Sequence, residues 1–329
     1  MVGQLLVLIA VRRASGTAVS EVVAAIDCGT NSIRLLVARA NEDGTLIELD
    51  RRMMIVRLGE GVDRTGRLSD AALERTFAAC QDYARILESL GAERVRFVAT
   101  SASRDAQNRQ MFVDGVMARI GVEPEVVSGE VEAALSFAGA TSGVAADARP
   151  PFLVVDIGGG STEFVLGEGE PVAAASVDMG CVRLTERYLL TDPPTGPEVA
   201  AATERVDELI DVAAQTVPLN QAATLVGLAG SVTTVAAIVL GLDDYDSAAI
   251  HGSRIGADEV HAIAQSLLAM NRTDRAAIGV MHPGRVDVIG GGALVLSRIL
   301  HRLAAEAGVN EVLVSEHDIL DGIALSLLP

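Results

Sequence analysis

One glycine-rich stretch, residues 152–166, constrains the fold more than any other part of the sequence, because its pattern occurs twice. Phe152 to Val155 is apolar and β-rich, three glycines occupy positions 158–160, and Phe164 to Leu166 returns to strand composition. This order predicts a β-hairpin with the glycines at its tip. An ordinary tight turn needs only one glycine. Three glycines flanked by Asp156 and Glu163 instead favour backbone N–H groups that approach a phosphate, with carboxylates placed for Mg²⁺.

The first copy of the pattern lies near the start of the chain. Val22 to Ile26 is β-branched and apolar, Asp27 opens a turn that runs to Ser32, and Ile33 to Ala38 is apolar again. Both copies therefore read as strand, Asp, glycine turn with small polar residues, and strand. Two such hairpins, each at the head of one half of a 329-residue chain, predict two related domains that face one phosphate-binding cleft.

The charge of the chain limits its partners. The formal net charge is −18 and the sequence pI is about 4.6, which argues against nucleic acid or an anionic membrane surface as the partner. All 26 Lys and Arg residues are arginines. The absence of lysine excludes a Walker A loop, a kinase phosphate lysine, a pyridoxal Schiff base and a lysine general base.

The cysteines and the N-terminus indicate the compartment. Cys28, Cys80 and Cys181 are odd in number and far apart, so neither a disulfide framework nor a zinc site is predicted, and a reducing cytoplasm fits. The apolar run within residues 1–20 precedes its arginines, the wrong order for a secretory signal, and is too short to span a bilayer. We expect residues 1–20 to be a disordered extension.

Helix and strand signals place further polar residues at the cleft. Ser69 is predicted to cap a helix that runs to Leu90 and ends at Gly91. A buried strand over 95–99 then delivers residues 100–104 to the carboxyl end of a sheet, where open α/β sheets bind ligands. A helix is predicted over 105–120, and another begins near Gly129.

Two further glycine clusters lie in the second half of the chain. Residues 227–234 end a strand and open a helix whose N-terminus is able to bind an anion, although an ordinary strand-to-helix turn explains the pattern equally well. Glycines 290–292 lie inside a predicted helix, where they are poor helix formers, so we expect close packing against backbone.

Together these motifs resemble the exopolyphosphatase / guanosine pentaphosphate phosphohydrolase family, within the actin, Hsp70 and sugar-kinase superfamily. The likeness covers nearly everything from Val22 onward and rests on seven segments in the family's order and spacing: residues 27–34, 99–106, 128–133, 155–163, 180–186, 227–234 and 284–292. Cys28 and Thr30 depart from the family's usual aliphatic residue and serine, and Val131 replaces a frequent acid.

The resemblance implies an α/β, two-domain, ribonuclease H-like fold with the active site in the interdomain cleft. It implies the short form of the family, with domain I over 21–134, domain II over 135–316, and a C-terminal helix over 317–329 that packs back on domain I. It implies Glu132 as the catalytic base, with Glu163 as the alternative, and Mg²⁺ held by Asp27, Asp156 and Glu163. The implied phosphate ligands are Gly29, Thr30, Asn31, Ser32, Arg104, Gly158, Gly159, Gly160, Ser161, Gly230 and Ser231.

The implied activity is hydrolysis of the terminal phosphoanhydride of inorganic polyphosphate. Two alternatives remain open: guanosine pentaphosphate as the substrate, and a regulatory module that binds polyphosphate or nucleotide without turnover. We expect Arg104 to contact phosphate, and Arg34, Arg183 and Arg285 to form surface ion pairs. We also expect a homodimer.

Overall fold

The duplicated hairpin heads two sheets that share one topology. The computed structural model describes residues 21–41, 45–144 and 147–328. The first sheet has the order β3-β2-β1-β4-β5. Its strands are β1 (Val22–Cys28), β2 (Ser32–Ala40), β3 (Leu46–Ile55), β4 (Arg94–Ala99) and β5 (Glu125–Val126).

The second sheet has the order β10-β11-β9-β6-β7-β8. Its strands are β6 (Phe152–Ile157), β7 (Thr162–Gly167), β8 (Pro171–Val177), β9 (Thr224–Leu228), β10 (Arg254–Gly256) and β11 (Glu311–Val314). In both sheets three antiparallel strands are followed by two parallel ones, β1-β2-β3 with β4 and β5, and β6-β7-β8 with β9 and β11. Strand β10 is an additional antiparallel edge. The predicted pair of related α/β domains is confirmed by this shared order.

The helices flank the sheets. We define the first lobe as β1–β5 with four helices: α1 (Val62–Thr65), α2 (Asp70–Leu90), α3 (Ser101–Asp105) and α4 (Arg109–Ile120). Helix α5 (Gly129–Thr141) follows. We define the second lobe as β6–β11 with seven helices: α6 (Cys181–Tyr188), α7 (Gly196–Ala214), α8 (Ala229–Val239), α9 (Ser247–Ile250), α10 (Ala257–Ala269), α11 (Arg272–Ala276) and α12 (Ile289–Glu306). A short 3₁₀ turn covers Leu219–Gln221, and the last helix is α13 (Ile319–Leu325).

Each sheet is buried on both faces. In β1, Ala24 and Ile26 belong to the core beneath α2 and α4, whereas the alternating Val23 and Ala25 pack with α13. Strand β6 divides its side chains in the same way between the large core of the second lobe and a smaller core beneath α5. The continuous apolar runs seen in the sequence are therefore strands covered by helices on both sides.

Helices α5 and α13 cross between the two sheets at a pair of glycines. A Cβ atom on Gly139 would lie 1.8 Å from the Asp318 carbonyl oxygen, and one on Gly322 would lie 1.9 Å from that of Leu135. Only glycine allows the two helix backbones to approach this closely. Helix α13 also packs against β1 of the first sheet, through Ile319, Leu320 and Ile323.

The helix predictions were correct at α2 and wrong at the start of α4. The Ser69 hydroxyl accepts a hydrogen bond from the Ala72 N–H at 3.2 Å, and Gly91 ends α2 with φ of 65°. The helix predicted over 105–120 begins only at Arg109, as α4, and residues 101–105 form a separate short helix, α3. The break occurs because the Asn108 side chain bonds both the N–H and the carbonyl of Leu68, each at 2.9 Å.

Among residues 21–41, 45–144 and 147–328, no helix combines the length and the apolar content that a bilayer crossing requires. The predicted extension over 1–20 lies outside the described residues.

Candidate active site

A cavity of about 90 Å³ lies between the lobes, at the carboxyl ends of β1, β4, β6 and β9. Most of the predicted site residues line it: Asp27, Gly29, Thr30, Asn31, Ser32, Glu132, Asp156, Gly158, Gly159, Ser161, Gly230 and Ser231. Three predicted residues, Arg104, Glu163 and Gly160, are not in its wall. The prediction of one cleft faced by both hairpins therefore agrees with the structure.

The two glycine turns have the same backbone geometry. In the first, the Gly29 N–H donates to the Ser32 carbonyl at 2.9 Å, and in the second the Gly158 N–H donates to the Ser161 carbonyl at 3.0 Å. These two N–H groups close the turns, so they are not free to bind phosphate. We refer to residues 29–32 as the first loop and residues 158–161 as the second loop.

In the first loop, the carbonyl groups are held from outside the cleft. The Asn31 carbonyl accepts the N–H groups of Val56 and Arg57, and the Thr30 carbonyl accepts that of Gly59. In the part of the chain that the structure describes, the Thr30 and Asn31 N–H groups have no acceptor. With its carbonyls fixed elsewhere, the loop presents two donors of the kind that bind an anion.

The second loop repeats this arrangement with different partners. The first turn of α6 donates to it, through Cys181 N–H to the Gly158 carbonyl and Val182 N–H to the Gly159 carbonyl, both at 2.9 Å. The N–H groups of Gly159 and Gly160 have no acceptor among the described residues. Both loops thus leave two unbonded donors.

The glycines of the second loop also allow the two lobes to touch. A Cβ atom on Gly160 would lie 2.6 Å from the Ser101 hydroxyl oxygen and 2.7 Å from that of Thr30. Those two hydroxyls are themselves hydrogen-bonded at 2.8 Å. The need for several glycines therefore has a second cause besides anion binding, namely the close approach of the two loops.

The predicted base, Glu132, lies in the cavity wall near the start of α5. This helix is capped by the Ser128 hydroxyl, which accepts the Val131 N–H. The side chain of Glu132 is buried and bonds the Arg104 guanidinium at 3.1 Å. Burial raises the pKa of Glu132 to about 8, with Arg104 opposing the shift and Asp156 adding to it. A carboxylate with this pKa is able to take a proton near neutral pH.

Arg104 does not line the cavity where a phosphate contact was predicted. Its guanidinium bonds the Val127 carbonyl at 3.0 Å as well as Glu132. Because this partner is the predicted base itself, Arg104 acts on the site through its bond to Glu132.

Glu163 is buried behind the second loop. Its carboxylate accepts a hydrogen bond from the Ser176 hydroxyl at 2.7 Å. Burial raises its pKa well above the usual range, and Glu132 and Asp156 raise it further. The carboxylate of Asp156 accepts the Ser136 hydroxyl at 2.9 Å, and burial followed by the Asp318 charge raises its pKa to about 6. The second loop therefore lies beside a group of acids whose raised pKa values disfavour their charged forms.

Arg34 is not the surface ion pair that the sequence suggested. It lines the cavity and donates twice to Asp27 Oδ2, at 3.0 and 2.7 Å, while its third nitrogen pairs with Asp318. Asp318 is the N-cap of α13 and lies 284 residues away in sequence. The role of Asp318 was missed, and the signal in the sequence was its place at the start of the last predicted helix.

Arg285 was also missed as a cleft residue. Its guanidinium lines the cavity beside Gly230, where a Cβ atom would lie 2.2 Å from Cζ. It bonds the Thr234 hydroxyl at 3.2 Å, and no carboxylate within the described residues pairs with it. The sequence signal was the Gly284-Arg285 pair that precedes α12. Arg285 thus offers the cavity a positive charge without a carboxylate partner.

The carboxylates fit Mg²⁺ in part. The cation usually takes one or two protein carboxylates together with substrate phosphates and water. Asp27 Oδ1 is buried and has no hydrogen-bond partner in the described ranges, and Asp156 lies in the same cavity wall. Over those ranges no group of three or more His, Cys, Asp or Glu is arranged to hold a metal. The predicted set of Asp27, Asp156 and Glu163 is therefore not arranged around one cation site. Glu163 is instead bonded to Ser176 behind the loop.

Comparison with known proteins places this geometry in context. A model of the Ppx/GppA phosphatase family matches residues 36–327. The chain is 53% identical to exopolyphosphatase 2 of Mycobacterium tuberculosis over 313 residues, which are 93% of this chain and 98% of that protein. It is 34% identical to a guanosine-5'-triphosphate,3'-diphosphate pyrophosphatase of Photobacterium profundum, over 69% of this chain and 46% of that protein.

Solved structures give the same picture. The crystal structure of an exopolyphosphatase-like protein superposes with a TM-score of 0.91 at 44% identity, over 93% of this chain and 97% of that one. The Aquifex aeolicus member of the Ppx/GppA family superposes with a TM-score of 0.76 at 30% identity, over 93% of this chain and 97% of that one.

Proposed function

The chain belongs to the Ppx/GppA phosphatase family, and from this premise we propose that it is an exopolyphosphatase that releases orthophosphate from the end of inorganic polyphosphate. One observation carries the proposal. Two loops with unbonded N–H groups face a single cavity, and a buried glutamate with a raised pKa lies in its wall. The exopolyphosphatase that is 53% identical over 93% of the chain supports the same activity.

Binding of the terminal phosphates uses two kinds of donor. The N–H groups of Thr30, Asn31, Gly159 and Gly160 bond phosphate oxygens from the two sides of the cleft. The guanidinium of Arg285, which lacks a carboxylate partner, supplies a charge-assisted contact. Local donors of this kind overcome the repulsion expected between a polyanion and a chain of net charge −18.

The N-terminus of α8 supplies a further anion site in this proposal. Gly230 and Ser231 lie in its first turn and in the cavity wall. Their predicted role as phosphate ligands is retained. The alternative reading, an ordinary strand-to-helix turn, is disfavoured by their position in the cleft.

The proposed chemical step is attack of water in line with the anhydride bond. Glu132 accepts the proton of the attacking water on a carboxylate oxygen as the new P–O bond forms. The bond between the terminal phosphorus and the bridging oxygen breaks, and the shortened chain departs with the electron pair on that oxygen. Arg104 keeps Glu132 oriented through the bond of 3.1 Å and favours its ionised form.

We also propose that the activity depends on Mg²⁺. Asp27 and Asp156 are the residues that would hold the cation, since the free oxygen of Asp27 and the carboxylate of Asp156 are both buried at the cleft. When bound, Mg²⁺ neutralises charge on the phosphate oxygens. Glu163 is then a neighbouring acid whose own pKa is raised by burial and by Glu132 and Asp156.

Guanosine pentaphosphate is the second candidate substrate. The observation that favours it is the relative from Photobacterium profundum, which is named for this class of compound. Both substrates end in the same phosphoanhydride, so the mechanism above applies to either.

The deciding experiment measures phosphate release by the purified full chain. Polyphosphate and guanosine pentaphosphate are supplied in parallel, each with Mg²⁺ and with EDTA. We expect release from polyphosphate with Mg²⁺ and none with EDTA. Release from the pentaphosphate alone would replace the proposed substrate, and no release from either would reject the enzyme in favour of a binding module.

Location and assembly complete the proposal. The three cysteines are free and buried, which suits the reducing cytoplasm predicted from the sequence. A homodimer stays a prediction, which size-exclusion chromatography with light scattering would test.

A further inference from the structure

Helix α6 and the second loop form one structural unit. Besides the two bonds described above, the Arg183 N–H donates to the Gly159 carbonyl at 3.2 Å. Gly180 permits the contact, because a Cβ atom there would lie 2.1 Å from the Gly159 carbonyl oxygen. Any displacement of α6 therefore moves the second loop with it.

The side chain of Arg183 leaves this unit and crosses to the first lobe. Its guanidinium pairs with Asp105 at 2.7 Å and with Asp63 at 3.2 Å, and on its own lobe with Asp178 at 3.4 Å. Only 13% of the Arg183 side chain is exposed. The neighbouring Arg187 also pairs with Asp63, which is 14% exposed. The Arg183–Asp63 pair is shielded from water and is therefore stronger than an ordinary surface pair, whereas Asp105 is 36% exposed and Asp178 is 64% exposed.

Asp105 connects the ion pair to the reacting end of the cleft. It is the last residue of α3, whose first residue, Ser101, bonds the Thr30 hydroxyl of the first loop. The same short helix carries Arg104, the partner of Glu132. A single five-residue helix thus joins Arg183 to the first loop and to the proposed base.

Arg183 itself is not in the cavity wall. It lines a small void of about 20 Å³ between the lobes, together with Thr30, Asp105 and Gly160. Its guanidinium is held by three carboxylates and so is not offered to the cavity. Its effect must reach the substrate through the two loops.

We propose that Arg183 is a positioning residue that fixes the separation of the two loops and thereby the geometry of Glu132 against the phosphate. This inference rests on the proposed function. A misplacement of about 1 Å in an active site costs about 100-fold in rate. We therefore expect Arg183→Ala to lower kcat about 10- to 100-fold while KM changes much less.

Activity is measured with polyphosphate and Mg²⁺ for Arg183→Ala, Arg183→Lys and a control, Arg298→Ala. Arg298 pairs with Asp207 within the second lobe, bonding through two nitrogens at 2.7 and 2.9 Å. Lysine retains the charge but not the planar fork, so we expect it to recover part of kcat. A kcat for Arg183→Ala that equals that of Arg298→Ala would overturn the proposal.

A second measurement does not depend on turnover. Spin labels on cysteines introduced at Arg85 and Val172 report the distance between the lobes. Both positions are accessible, since the Arg85 side chain is 75% exposed and Val172 is 78% exposed. We expect a narrow distribution in the labelled parent and a longer, broader one after Arg183→Ala. An unchanged distribution would overturn the proposal even if kcat falls. If the unmodified protein releases no phosphate, the proposed function fails, and this distance still decides whether Arg183 holds the lobes together.

Discussion

Asp27 and Asp156 occupy the same position in two hairpins of equal length, yet the residues that face them across the strands differ in charge. Asp27 pairs in register with Arg34, whereas Asp156 pairs with Glu163. The turns between them close with the same hydrogen bond, and both leave two unbonded N–H groups. The same hairpin turn therefore occurs in two different electrostatic surroundings.

The difference lies in the charges that surround each loop. On the first side, Arg34 pairs with both Asp27 and Asp318, so its single positive charge offsets one of their two negative charges. Burial raises the pKa of Asp27 as well. On the second side, Asp156, Glu163 and Glu132 lie together, and each has a raised pKa. Within the proposed function, both loops bind phosphate and Asp27 and Asp156 would hold the cation, whereas the proposed base, Glu132, belongs to the acids beside the second loop.

The largest expected effect tests whether the chemistry lies on the acidic side. Glu132→Gln keeps the shape of the side chain and removes the proton acceptor, so we expect kcat to fall by about 10²- to 10⁴-fold. Binding of polyphosphate, measured by calorimetry, should change little because the loop donors remain. Unchanged turnover would remove Glu132 from the mechanism and would break the division between the two sides.

The next effect concerns the stability of the first side. Arg34→Gln leaves Asp27 and Asp318 buried without their partner, which we expect to cost about 3–5 kcal/mol in the free energy of unfolding. The matched change on the other side is Glu163→Gln. Because burial and its neighbours already disfavour the charged form of Glu163, this change should cost much less. Urea unfolding at neutral pH compares the two, and equal losses would contradict the electrostatic contrast.

A smaller effect compares the glycines of the loops. Gly160→Ala forces a methyl group against the hydroxyls of Ser101 and Thr30, so we expect a loss of about 1–3 kcal/mol in stability and a lower kcat. Gly29→Ala is the control, since its Cβ atom would have no neighbour closer than 3.6 Å. The measurement is thermal unfolding together with phosphate release. Equal behaviour of the two variants would show that the loops do not need to touch.

The smallest effect is the pH dependence of the acidic side. With a pKa of about 8, Glu132 must lose its proton to act as a base, so kcat/KM should rise as the pH increases through about 8. Its unfolded pKa is about 4.3, so the protonated carboxyl favours the folded state most fully below that pH, and this contribution is lost as the pH rises through about 8. The melting temperature of Glu132→Gln should therefore equal that of the parent near pH 5 and exceed it near pH 9. A difference that stays constant with pH would show that the raised pKa is wrong.

The sequence predicted the local structure well, and the reasons are physical. Ser69 and Gly91 bound α2 because a cap hydroxyl and a left-handed glycine act within a few residues. The glycines at 290–292 were expected to pack against backbone, and a Cβ atom on Gly291 would lie 3.0 Å from the Cys181 carbonyl oxygen. A Cβ atom on Gly292 would instead lie 2.2 Å from the side-chain hydroxyl of Ser231. The break at Asn108 was not predicted, because the bonds that cause it reach 40 residues back to Leu68.

The residues of the candidate site also divide into those that the sequence predicted and those that only the tertiary structure revealed. The sequence alone determined the two Asp-glycine hairpins, the strands beside them and the position of Glu132, because each depends on neighbours in the chain. Only the tertiary structure decided which charges face the cleft. Arg34 meets Asp318 across 284 residues, and Arg183 meets Asp105 across 78. Such pairs form only when distant parts of the chain fold together, since Coulomb attraction depends on distance in space and leaves no periodic signal in the sequence.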